Sequence, residues 1–127
     1  MKDVVKNLEA ALKVVSRKNG WIKGTRNDGR GRHCALGAIE KVTGKYVLGC
    51  TPEAVALEAA IPATVKKKME AGMIDDPYNM IYGTCQLSSA QKESRIACYN
   101  NTTSQKTVVS WFKRAIKMQR EHPMKET

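Results

Sequence analysis

The stretch that decides the fold is residues 3–20, DVVKNLEAALKVVSRKNG. Val4, Val5, Leu8, Ala11, Leu12 and Val15 recur at the i, i+4, i+7, i+8 spacing of one helical face, while Lys6, Glu9, Lys13 and Arg17 lie off it. Asp3 is placed to cap this helix. Asn19-Gly20 is placed to end it, the glycine supplying the left-handed conformation that a helix C-terminus often needs.

The same reading carries along the chain. A second helix is expected from His33 or Cys34 to Gly44. Its Ala35, Gly37 and Ala38 leave room for a neighbouring backbone, against a propensity cost of up to ~1 kcal/mol for the mid-helix glycine. Thr51-Pro52-Glu53 announces a third helix, with Thr51 as N-cap and Pro52 at the first helical position; it should stop at or before Ile61 because Pro62 disfavours helical geometry in its predecessor. Pro62 can open a fourth, ending at Gly72, and Asp75-Asp76-Pro77-Tyr78 marks a turn. Ser88-Ser89-Ala90-Gln91 fits a capping box ahead of a helix through Ile96, Ala97 and Tyr99. The run Asn100-Asn101-Thr102-Thr103 should interrupt it, and Thr103 or Ser104 should cap a last helix running to about His122. The expectation is a mainly α, compact single domain of five or six helices over residues 1–122 with a frayed tail over 123–127. Its core should include Leu8, Leu12, Leu36, Ile39, Leu57, Ile96, Val108 and Phe112.

A chain of 127 residues can bury roughly two thirds of its unfolded surface, enough for one core without staples. It has no run of about 20 apolar residues, so no membrane span is expected, and Lys6, Glu9 and Lys13 break up any apolar leader near the N-terminus. A cytoplasmic location follows. Cys34, Cys50, Cys85 and Cys98 are widely spaced, and His33 and His122 complete no zinc pattern, so reduced and mostly buried thiols are expected, with no metal or cofactor.

The formal net charge of +10 points to an anionic partner. It is concentrated in two segments. From Arg17 to Arg32 the chain is Gly-rich and basic, reading as a loop or short irregular hairpin after the first helix. Arg17, Lys18, Lys23, Arg26, Arg30 and Arg32 face only Asp28 there, a local net of +5. Glycines admit backbone amides to phosphates, Arg pairs with them bidentately, and Trp21 could stack on an unpaired base. On the last helix Val108, Phe112, Ala115 and Ile116 share one face, while Lys106, Lys113, Lys117 and Arg120 form a stripe within a narrow opposite arc. Only Glu121 compensates it, whereas an ordinary exposed face mixes signs. Cys34 is a third candidate, a cysteine at a helix start whose thiolate the dipole and nearby cations would favour. His33 points about 100° away from it in a helix and is poorly placed as its base.

At this point the chain resembles a known family. Trp21-Ile22-Lys23-Gly24, the Cys34-Ala35-Leu36-Gly37-Ala38-Ile39 box, and Asn100-Asn101 before a helix with Val108, Phe112 and Ala115 are similar to a family of small uncharacterised proteins of bacteriophages and their bacterial hosts. The resemblance spans about residues 21–116. The family's Asn-Asp pair is replaced here by Asn100-Asn101, so a carboxylate at that second position is missing. The resemblance implies an all-helical fold and a phage setting without implying a mechanism.

The function expected from these features is that of a small basic protein engaging nucleic acid or a nucleoprotein complex through the loop and the helix stripe. The alternative is a protein inhibitor that blocks a host factor by occupying an acidic or nucleic-acid-binding surface, with Trp21, Tyr46 and Trp111 as anchors. An enzyme using Cys34 is the third class.

Overall fold

The apolar stripe of the opening stretch does form a helix, α1 (Lys2–Ser16), and it buries Val4, Leu8, Ala11, Val14 and Val15. The computed structural model describes residues 2–70 and 89–123. These hold α2 (Ala35–Thr43), α3 (Pro52–Ala59), α4 (Ala63–Glu70), α5 (Ser89–Asn101) and α6 (Gln105–Glu121), with no strand among the described residues. The fold is all-α and compact, with six helices among the described residues.

Packing is organised around α1, which lies against both α6 and α2, while α3 seats on α5 and α6. The direction of the α1–α6 pair is fixed at both ends. Gln105 Nε2 donates to the carbonyls of Val15 (2.8 Å) and Arg17 (2.9 Å), and Arg120 near the other end of α6 pairs with Glu9. The two helices are therefore antiparallel. Leu8, Ile39, Leu57, Ile96, Val108 and Phe112 are fully buried, each worth about 1.5–3 kcal/mol of burial. Leu36 is also buried, but Leu12, expected in the core, is only partly so: it lies at the edge of the α1–α6 groove.

The helix ends show where local chemistry was and was not as expected. Asp3 lies inside the first turn of α1 rather than capping it. At the other end Asn19, not Gly20, takes the left-handed conformation (φ 60°). Gly20 is needed for a different reason: a Cβ there would sit 2.2 Å from the Val14 carbonyl oxygen. Cys34 N-caps α2 and Gly44 (φ 71°) ends it, and Ser104 caps α6 by accepting from the Thr107 amide. Thr51 precedes α3 and Pro52 begins it, but the Thr51 hydroxyl accepts from the Leu48 amide (3.1 Å) instead of from the helix. Helix α5 runs through Asn100 to Asn101, further than expected. The capping box at Ser88, the turn at 75–78, Gly72, Cys85 and most of the tail lie outside the described residues.

Candidate functional site

The Gly-rich loop folds onto the helices through one side chain that its composition does not advertise. Asn100, near the end of α5, is fully buried. Its Oδ1 accepts from Trp21 Nε1 (2.8 Å) and from the Ala35 amide (3.1 Å), while its Nδ2 donates to the Ile22 carbonyl and to Asn101 Oδ1, both at 3.2 Å. Asn101 Oδ1 in turn accepts from the Gly24 amide (2.8 Å). The three motif segments, Trp21 to Gly24, Cys34 to Ile39 and Asn100-Asn101, thus meet in one knot. Both interactions of Asn101 Oδ1 are acceptor roles that a carboxylate oxygen would fill equally well.

Gly37 lets the loop come down on α2. A Cβ at that position would be 1.7 Å from the Arg26 carbonyl oxygen, which also accepts from the Cys34 amide (3.1 Å). The Arg26 side chain then turns inward. Its Nη1 pairs with Glu40 and donates to the Val47 carbonyl (3.0 Å), its Nη2 pairs with Glu93 (3.1 Å), and its guanidinium lies 4.4 Å from the centre of the Tyr46 ring. Arg26, expected to seek an anion, has its charge met by two carboxylates of the protein itself. Arg32 is likewise paired with Asp28 (2.6 Å), and Arg120 with Glu9. Arg17, Lys18, Lys23 and Arg30 are exposed, with the Lys23 ammonium 5.8 Å over the half-buried Trp21 ring.

Asp28 organises the loop tip. Its carboxylate takes the side chain of Arg32 and the amides of Arg30 (2.8 Å) and Arg32 (3.1 Å), which hold its pKa at about 2 against an ordinary 3.8. A depressed folded pKa contributes stability above the ordinary value and loses it as pH falls through the folded one. Thermal melts of the native chain and of Asp28→Asn should therefore converge as pH falls from about 4 to about 2. A difference between the two that stays constant over that window would rule out this role.

Two other candidates are relocated. Trp111, proposed as an interface anchor, is 2% exposed: its Nε1 donates to the Leu57 carbonyl (2.7 Å) and its ring meets Tyr99 edge-on at 4.8 Å. A residue so placed is core, because its polar end is already satisfied in the interior. Trp21 is half-buried and pinned by Asn100, so Tyr46, 68% exposed, is the anchor candidate that stays on the surface. Cys34 is buried and its thiol accepts from the Gly37 amide (3.4 Å). Burial pushes the thiol pKa up and that of neighbouring His33 down, so neither the thiolate nor the imidazolium that cysteine chemistry would need is favoured. Cys98 is buried too, but Cys50 is exposed.

The basic stripe lies open. Lys106, Lys113 and Lys117 are exposed, and Lys113, Lys117 and Arg120 border a groove of about 500 Å³ between α6 and α1, whose other side carries Glu9, Leu12 and Lys13. Lys13 was not a candidate in the sequence; it falls off the apolar face of α1, and only the antiparallel pairing brings it to the stripe. The joint surface expected between loop and stripe is thus rearranged. The end of α1, with Arg17 beside Gln105, adjoins α6, while Arg26 turns to α2 and α5.

The fold and the surface define a small all-α protein with a cationic two-helix face. Residues 1–118 match the family model described as a family of unknown function (DUF6197), and the chain belongs to that family. No curated protein and no solved structure matches it. Among the described residues no helix is long and apolar enough to cross a membrane.

Proposed function

We propose that the protein binds nucleic acid, or a nucleoprotein complex, through the α1–α6 face. The observation that carries this is the antiparallel pairing itself, which brings Lys13 to the groove bordered by Lys113, Lys117 and Arg120, and the Arg17 carbonyl to Gln105, next in the chain to Lys106. Of these six cations, Arg120 alone has an ion-pair partner among the described residues, and the acids on the groove are Glu9 and Glu121. A partner with regularly spaced negative charges fits such a strip, because each phosphate neutralised releases a condensed counterion. The protein-inhibitor alternative loses support from the burial of Trp111 and the pinning of Trp21. The phage setting implied by the motif resemblance is compatible with a target in a bacterial host.

The test is titration of labelled single- and double-stranded DNA and RNA at two salt concentrations. With four to six phosphates engaged, affinity should fall by roughly 10²- to 10³-fold between 50 and 200 mM salt. The double reversal Lys113→Glu with Lys117→Glu should remove most binding and flatten that slope. Absence of binding at about 50 mM salt, or a reversal variant that binds as tightly as the native chain, would overturn the proposal.

A further inference from the structure

A second concavity, away from the basic groove, lies between the loop and α5. It is a cleft of about 370 Å³, within the range of small-molecule sites. It is lined by Gly24 to Arg26 of the loop and by Glu93, Ala97 and Asn101, one helical turn apart along α5, and Leu36 and Tyr46 also border it. The same knot that orders the motif segments therefore also shapes this cleft.

Its electrostatics exclude the ligand that a basic protein first suggests. Arg26 brings one positive charge to the cleft and two carboxylates, Glu40 and Glu93, already hold it. An added anion would find no unmet cation there. A metal ion is no better served, since the described residues hold no group of three His, Cys, Asp or Glu side chains. What the wall offers is neutral recognition. Among the described residues Arg26 uses three of its five N–H groups, on Glu40, Val47 and Glu93, leaving two donors. Glu93 spends Oε1 on Arg26, and its Oε2, with no other partner among the described residues, is an acceptor beside them. The amide nitrogen of Asn101 adds a donor, and Leu36 and Ala97 give an apolar surface.

The geometry points to a binding site for a nucleobase: a neutral, flat heterocycle with a donor beside an acceptor on one edge. Its donor–acceptor edge meets Glu93 and Arg26, and its ring packs against Leu36 and Ala97. This site is separate from the α1–α6 face and does not depend on it, because a nucleoside carries no phosphate.

The test is titration of the isotope-labelled full chain with uncharged nucleosides, following backbone amide shifts. At least one nucleoside should shift Gly24, Thr25, Ala97 and Asn101 saturably, with Kd on the order of 0.1–1 mM, as befits a ligand of this size. Ala97→Leu, a substitution between two good helix formers, fills the cleft and should abolish those shifts while the thermal melt is retained. Glu93→Gln exchanges an acceptor for a donor and should weaken the preferred nucleoside about tenfold. No saturable shift with any nucleoside up to about 10 mM, or shifts that persist in Ala97→Leu, would overturn the assignment. The source of the base is read with short single strands at about 0.5 M salt, where phosphate attraction is screened. Shifts at the same amides identify a base within a strand, and shifts with nucleosides alone identify a free nucleoside. Lys113→Glu with Lys117→Glu should leave nucleoside binding unchanged, so failure of the basic face and failure of the cleft are told apart.

Discussion

Gly37→Ala is expected to destabilise the protein by about 3 kcal/mol or more, although it improves helix propensity by up to ~1 kcal/mol. The added methyl would lie 1.7 Å from the Arg26 carbonyl oxygen and 2.6 Å from its carbonyl carbon, so the obstacle is backbone and no rotamer change relieves it. Nor can the loop lift away cheaply. The Arg26 carbonyl holds the Cys34 amide at the start of α2, and the Arg26 side chain is tied to Glu40, Glu93 and Val47. Retreat would break several of these together. A loss of that size lowers Tm by on the order of 10 °C in a domain of this length. Propensity alone predicts the opposite sign, so a melt at or above that of the native chain would show that the loop does not sit on Gly37.

That glycine was legible in part. The small-residue run at Ala35, Gly37 and Ala38 implied a close backbone neighbour, and the structure supplies one in the Arg26 peptide. The helices were legible because burial imposes a period, and Val4, Leu8, Val108 and Phe112 fall on it. Charged residues obey no such period. Arg26 reads like Arg30 in the sequence, yet one is held by Glu40 and Glu93 and the other is exposed, since their acids lie 14 and 67 positions away from Arg26. The same holds for Trp111, whose burial depends on the Leu57 carbonyl 54 positions earlier. Lys13 could have been found from one further step: a helix with a basic stripe needs a neighbour, and the stripe's reach depends on what that neighbour carries. The approach of α1 to α6 is a tertiary fact, fixed by Gln105 at one end and Arg120 at the other.

The second large effect is expected at Asn100, and it separates two adjacent residues of the same type. Asn100 uses both lone-pair directions of its oxygen and both amide protons, on Trp21, Ala35, Ile22 and Asn101. Asn100→Ala strands the Trp21 N–H, the Ala35 amide and the Ile22 carbonyl in or near the interior. A buried group left without its partner costs about 1–3 kcal/mol, so a total of about 4 kcal/mol is expected even if water reaches one of them. Asn100→Asp should be nearly as harmful, because a carboxylate has no protons for the Ile22 carbonyl or Asn101 Oδ1 unless it takes one up. Asn101→Asp should stay within about 0.5 kcal/mol of the native chain, since its oxygen only accepts and the side chain is exposed. Urea denaturation of the three variants checks this, with near-UV circular dichroism following the Trp21 environment. Equal stabilities for Asn100→Asp and Asn101→Asp would mean that the loop is not held by Asn100. The expected contrast would instead trace the paired asparagines to a division of labour, one closing the buried knot and the other seating the Gly24 amide at the rim of the cleft.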